Sequence, residues 1–214
     1  MIEILVADLR PLGVENRARA WRLVIFSVAP VMLLLLLFLS PFRADFASHM
    51  ADGFFVSSVA TSALVFLAGV LTLSVLRVPR RSRLWLLLPV VAFGFWLASE
   101  FAGIAAEFYR EGMLAFAFAS SPECPLVITV VGGALLVAML GFAREAVLLW
   151  RGPAVAIAAL SAFSLPAAFL NLFHDLDTAA MVLLWHFGAI AVLSAAAVLV
   201  FHRWIPGFQE GLGL

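Results

Sequence analysis

The sequence predicts an all-α membrane protein, a bundle of six transmembrane helices with both termini cytoplasmic. Three observations predict it. Hydrophobic residues make up 65% of the 214 positions and charged residues 12%, and mean hydropathy is +1.13. That is more apolar surface than a soluble domain of this length hides. The apolar residues fall into six runs, each about 20 residues or longer, the helix length that crosses a hydrocarbon core. The basic residues gather at alternate ends of those runs.

The chain opens with a leader, residues 1–21. In it Ile2, Leu5, Val6, Leu9 and Leu12 recur at near-helical spacing, with Glu3, Asp8 and Arg10 between them. Pro11 and Gly13 end the pattern. An amphipathic helix of about two and a half turns is marginal alone in water, so it needs a surface to lie against. One reading gives it the inner leaflet or its own bundle; the other gives it a groove on a soluble partner. Ile2–Leu12 is poorer in basic residues than membrane-surface helices usually are.

The six runs are Leu23–Phe42, Phe54–Leu76, Leu84–Ala106, Cys124–Ala143, Ala154–Phe173 and Ala179–Phe201. They are continuously apolar rather than alternating, which predicts helices and not a barrel. The first is too long for the core of a cleavable signal peptide and follows a mixed-charge leader, so Met1 is expected to remain attached. Pro30, Pro89 and Pro166 fall inside runs, where membrane helices accommodate them as kinks. Short connections predict antiparallel neighbours. The longest outer connection, about Glu107 to Glu123, holds the apolar stretch Met113–Ala119. That stretch is too short to span and is expected at the interface or dipping back. Residues 22–214 thus read as one transmembrane domain with a short cytoplasmic tail.

All 13 basic residues are Arg. Arg10, Arg17, Arg19 and Arg22 precede the first run, Arg77, Arg80, Arg81 and Arg83 fill the second connection, Arg144 and Arg151 bracket the fourth, and Arg203 follows the last. Only Arg43 and Arg110 lie on the other side. Positive charge marks the cytoplasmic face, so both termini are expected inside. The acids mirror this: Asp45, Asp52, Glu107, Glu111, Glu123, Asp175 and Asp177 are expected in outer loops. Trp21, Trp85, Trp150 and Trp204 fall at inner ends, as interfacial anchors do.

No phosphate loop, His-Glu-x-x-His pair, dinucleotide fingerprint or Cys-x-x-Cys is present, and no enzyme is expected. The single Cys excludes an intramolecular disulfide. Ser161 and Ser194 are expected to bond helix backbones or pack closely, and Gly132 with Gly133 reads as a close-packing point. Few polar residues lie at membrane depth. Glu100 sits toward the outer end of the third run, either buried as a functional carboxylate or close enough to the surface to be hydrated. His186 lies about two turns inside the sixth run. His174 and Asp175 end the fifth, and Cys124 starts the fourth. These donor types bind zinc or copper, and a helix N-terminus favours thiolate character. The alternative is structural: a buried small hydrophobe, a helix cap and a histidine bonded to backbone. Arg43 and Asp45 read as a solvated turn or local ion pair.

Several segments together resemble a known family. Leu5-Val6-Ala7-Asp8-Leu9-Arg10-Pro11-Leu12 is similar to the opening of the negative-regulator-of-sigma-F proteins, six-helix inner-membrane anti-sigma factors of proteobacteria. Arg43-Ala44-Asp45-Phe46 resembles the Arg-x-Asp-apolar element after their first span, and Cys124 stands at the fourth. Arg151-Gly152-Pro153 resembles a basic Arg-Gly-Ala-Pro turn with Ala missing, and His174-Asp175 with Trp185-His186 resembles a His-Cys element and a following Trp-Tyr. The resemblance implies that the leader holds an extracytoplasmic-function sigma factor away from RNA polymerase, with Leu5, Asp8, Leu9, Arg10, Pro11 and Leu12 as the docking patch. It implies release on an envelope, metal or oxidative signal. Asp175 stands where the family's second Cys is usual, so a two-cysteine switch within one chain is unavailable. Cys124 then has other routes: a regulatory metal ion shared with His174 and Asp175, oxidation alone, or pairing across a dimer. The signal-sensing candidates are Cys124, His174, Asp175, His186 and Glu100. No resident cofactor and no direct nucleic-acid contact are expected. The rival from another class is a small transporter or channel subunit, favoured by Glu100, His186 and the prolines; no internal repeat supports it.

Overall fold

The computed structural model describes residues 46–76, 82–116, 122–143, 150–173 and 178–204. Among these the chain is helical almost throughout and forms no strand. A short turn, α1 (Phe46–His49), leads into α2 (Gly53–Leu76). A 3-10 turn (Arg83–Leu86) opens α3 (Leu87–Glu111), and a second (Gly112–Phe116) follows it. Then come α4 (Glu123–Phe142) and α5 (Arg151–Phe173). The last rod joins α6 (Ala179–Val182), a π-helical turn (Leu183–Phe187) and α7 (Gly188–Trp204). Five helices are long and apolar enough to cross a membrane, and they coincide with the second to sixth predicted runs. The first run, Leu23–Phe42, and the leader lie outside the described residues.

Local chemistry sets the helix ends. Asp52 accepts the Phe54 N–H at 3.0 Å ahead of α2. The Ser82 hydroxyl accepts the Leu84 N–H at 3.2 Å, and Thr178 accepts Met181 N–H at 3.2 Å. Short polar side chains at these positions replace bonds that the first helical N–H groups lack. Gly112 ends α3 at φ +62°, a left-handed conformation open to a residue without Cβ.

Neighbouring hydroxyls donate to carbonyls close to two of the predicted kink sites. Pro89 lies in the first turn of α3 and has no N–H for the carbonyl of Trp85, four residues back. The Thr72 hydroxyl of α2 donates to that carbonyl at 3.1 Å. Pro166 lies within α5, which continues through it. Nearby, Ser62 of α2 donates to the Ser164 carbonyl at 2.8 Å. Such borrowed donors are how apolar surroundings tolerate proline.

At the centre lies α5. It packs against α2, α4 and α7, while α3 packs chiefly against α2. Of its span 78% is buried inside the bundle, against 22% for the α3 span and 17% for the last rod. Its small residues make this possible: Ala154, Ala158, Ala159, Ser161 and Ala162 are wholly buried, and small side chains let helix backbones approach closely. Ser161 sits against Gly69, where a Cβ would overlap its hydroxyl. Of the two roles expected for Ser161 and Ser194, backbone bonding or close packing, Ser161 takes the second and neither makes a backbone bond; Ser74, Ser99 and Ser164 make such bonds. A Cβ on Gly132 would collide with the Phe163 ring, whereas one on Gly133 meets nothing within 4 Å. Close packing therefore belongs to Gly132 alone.

Contacts at the two ends fit antiparallel neighbours. At one end the Arg83 guanidinium stands 5.3 Å from the centroid of the Trp150 ring, bringing together the starts of α3 and α5. At the other, the end of α3 meets the start of α6 through Glu107. Glu107 and Glu111, expected in an outer loop, are helical because α3 runs on to Glu111. Met113 and Leu114 of the apolar stretch lie exposed on the second 3-10 turn while Ala115 is buried, so this part rests on the bundle surface instead of entering it.

Candidate functional site

Three helices meet at a buried polar node. Glu100 of α3 is wholly buried, which decides between the two readings of this carboxylate: it is enclosed, not hydrated at the surface. The Ser58 hydroxyl of α2 donates to Glu100 Oε1 at 2.5 Å. Asn171 Nδ2 of α5 donates in turn to Ser58 Oγ at 3.1 Å. Ser58 and Asn171 are themselves buried. The outer oxygens of the chain, Glu100 Oε2 and Asn171 Oδ1, are buried without a hydrogen bond. Trp96, one turn earlier on α3, sets its indole N–H beside the carboxyl but outside hydrogen-bonding geometry. Local sequence places these groups: Ser58 and Asn171 are polar positions in otherwise apolar helices, and each faces inward because α5 is enclosed on three sides.

Glu107 performs a different task two turns on. Both its oxygens take the Ala179 N–H, at 3.0 and 2.9 Å. The carboxylate thus stands at the N-terminus of the last rod, where free N–H groups and the helix dipole favour negative charge. Thr178 shares the work of capping there.

Cys124 is the second residue of α4 and is wholly buried in the apolar core with Ile128. Its helix-start position is as the sequence suggested, but the surroundings are hydrophobic. His186 is also wholly buried, in the π-helical turn that packs against α4. Single π-helical turns interrupt regular hydrogen bonding and are frequent at functional positions. Among the described residues no group of three or more His, Cys, Asp or Glu side chains is placed to hold a metal ion. His174 and Asp175 lie outside the described residues, as do Arg43, Asp45 and the leader positions Leu5, Asp8, Leu9, Arg10, Pro11 and Leu12. Of the five sensing candidates, then, Glu100 is tied into a network by side-chain hydrogen bonds, while Cys124 and His186 sit on neighbouring elements.

A family model described as negative regulator of sigma F matches residues 5–205. The chain belongs to the negative regulator of sigma F family. No curated protein and no solved structure matches it. In this member of the family the matched region begins at Leu5, inside the leader, and ends at Ile205, just beyond α7. It therefore takes in residues 5–21 of the leader together with the five helices long and apolar enough to cross a membrane. The family description is that of a regulator acting on a sigma factor, not of a catalyst.

Sequence reading singled out Glu100 but not its partners. Ser58 and Asn171 carried a signal all the same: each is a hydrogen-bonding side chain within an apolar run, and such residues seek partners across helices. Glu107 was assigned to a loop because acids crowd the predicted outer side. Its capping role depends on α6 beginning opposite it, which spacing along the chain does not encode.

Proposed function

We propose that this protein is a membrane-bound anti-sigma factor that sequesters an extracytoplasmic-function sigma factor through its N-terminal segment and releases it on an envelope, metal or oxidative signal. One observation carries the reading: family membership extends unbroken from Leu5 through the spanning helices to Ile205. The leader and the bundle are thereby parts of one regulator. Leu5, Asp8, Leu9, Arg10, Pro11 and Leu12 form the docking patch, an apolar face of helical spacing edged by charge. The arginine distribution favours an inner membrane location with both termini cytoplasmic, the side on which a sigma factor resides.

The bundle converts an input into release. Conversion requires two bundle arrangements that bind the sigma factor differently, since a signal without differential affinity shifts nothing. Moving the partner from almost wholly bound to almost wholly free takes about 5.5 kcal/mol. Altered bonding at Cys124, His174, Asp175, His186 or Glu100 is the proposed input. For Glu100 the support is geometric: it accepts from Ser58 of α2, which in turn accepts from Asn171 of α5, so a change there acts on a chain of bonds that links three helices.

Co-purification tests the output. The full-length protein should retain a sigma factor that a version lacking residues 1–13 loses. Equal retention by both would remove the docking claim. A reporter fused ahead of Met1 should score as cytoplasmic; an external score would place the patch where no sigma factor is found.

A further inference from the structure

We propose that Glu100, Ser58 and Asn171 form a binding site for a single monovalent cation, a proton or a sodium ion, between α2, α3 and α5. This does not rest on the anti-sigma reading. The argument begins with an unbalanced charge. A carboxylate enclosed in apolar surroundings costs several kcal/mol unless it is paired. Glu100 is wholly buried and its hydrogen-bonding partner is a neutral hydroxyl.

Among the described residues positive charge lies far along the helices. Gly53–Leu76 carries no ionisable residue. On α3 the nearest basic residue is Arg110, about 15 Å along the helix at 1.5 Å per residue. On α5 it is Arg151, at the opposite end of that helix from Asn171. Among the described residues the other titratable groups on packed elements are Glu107, Tyr109 and Glu111 on α3, His186, His202 and Arg203 on the last rod, and Glu123 and Cys124 on α4. Glu107 is occupied by the Ala179 N–H.

The geometry supplies a second, independent sign. Glu100 Oε2 and Asn171 Oδ1 are buried oxygens with no hydrogen bond. Both belong to groups bonded to the same Ser58 hydroxyl. Fixed covalent geometry therefore keeps each within roughly 5 Å of Ser58 Oγ. Each is an acceptor held near the same hydroxyl in a dry setting without a donor, and a positive partner would satisfy it. The donors are all hard oxygens, from a carboxylate, a hydroxyl and an amide, which suit a proton or an alkali ion and not a soft metal. One carboxylate contributes one negative charge, so a monovalent cation neutralises the site, whereas a divalent ion leaves a buried positive charge.

Anything that binds the native state alone stabilises it, so occupancy is read as thermal stability. The full-length protein in nanodiscs of neutral lipid is heated at a series of pH values in choline chloride, then at high pH with sodium chloride. In a proton site the midpoint falls by at least about 3 °C as pH rises, and sodium matches choline. In a site that also takes sodium, sodium chloride restores the midpoint at high pH. Glu100→Gln, which keeps the shape and removes the charge, should abolish these responses. The proposal is overturned if the wild type shows neither response, if Glu100→Gln retains them, or if they vanish in His186→Gln instead. Should Glu100→Gln fail to fold, infrared spectroscopy of the wild type and Glu107→Gln decides. A carboxylic-acid carbonyl band present in both at neutral pH, and lost at high pH or on adding sodium, supports the site. No such band, or one lost in Glu107→Gln, overturns it.

Discussion

Gly132 and Gly133 are neighbours of identical chemistry with opposite surroundings, which makes them a direct test of how α4 meets α5. A methyl group on Gly132 would run into the edge of the Phe163 ring and come 3.1 Å from the Phe163 Cα. The ring can turn only within a packed site, since Phe163 is 4% exposed, and the Cα cannot turn at all. The two helices must then separate or strain, at about 1–3 kcal/mol, the usual cost of overpacking. A methyl group on Gly133 meets nothing within 4 Å. Either change gains helix propensity of about 1 kcal/mol over glycine. That gain is common to both, so the difference between Gly132→Ala and Gly133→Ala isolates the steric cost. It corresponds to a factor of roughly 5–150 in the folded-to-unfolded ratio. Unfolding by sodium dodecyl sulfate in mixed micelles, followed by far-ultraviolet circular dichroism, measures it. Stabilities of the two variants within about 0.5 kcal/mol of each other would show that α4 and α5 do not approach closely at Phe163.

Two further substitutions probe the ends of α3 with the same titration. Glu107→Ala removes both acceptors of the Ala179 N–H and is expected to cost about 0.5–2 kcal/mol, the range for losing a helix cap; Glu107→Gln keeps an acceptor and should lose less, with hydrogen exchange at the Ala179 amide following the same order. Thr72→Val deletes the hydroxyl donor to the Trp85 carbonyl, which has no N–H of Pro89 to bond but keeps a backbone N–H, at about 0.5–1.5 kcal/mol, and Thr72→Ser should restore most of it.

What the sequence made legible was length and depth. The limits of α2, α4 and α5 agree with the predicted runs within a few residues, because hydropathy reports directly which segments avoid water. The end of α3 was misjudged because Glu107 looked like a loop residue, while in the fold its charge is bound by an amide of another helix. What stayed illegible was rotation. In a soluble bundle the polar face shows which side of a helix is outside. Here Leu67 and Leu71 of α2 are exposed on the outside of the bundle while Val65 and Leu73 are buried within it, so apolar residues stand on both sides and no periodicity separates them. The pairing of Glu100 with Ser58 and Asn171, and the choice of Gly132 over Gly133, both follow from rotation. Glu100 itself stood out because charge is rare at that depth.

The position of α5 has a consequence for biosynthesis. α4 finds its principal neighbour in α5, and α2 leans on the same helix. Yet residues 151–173 are made after those of α2, α3 and α4. Until then α4 lacks its principal neighbour, while α2 and α3 can already pack against each other. Completion of the core therefore waits for this keystone helix.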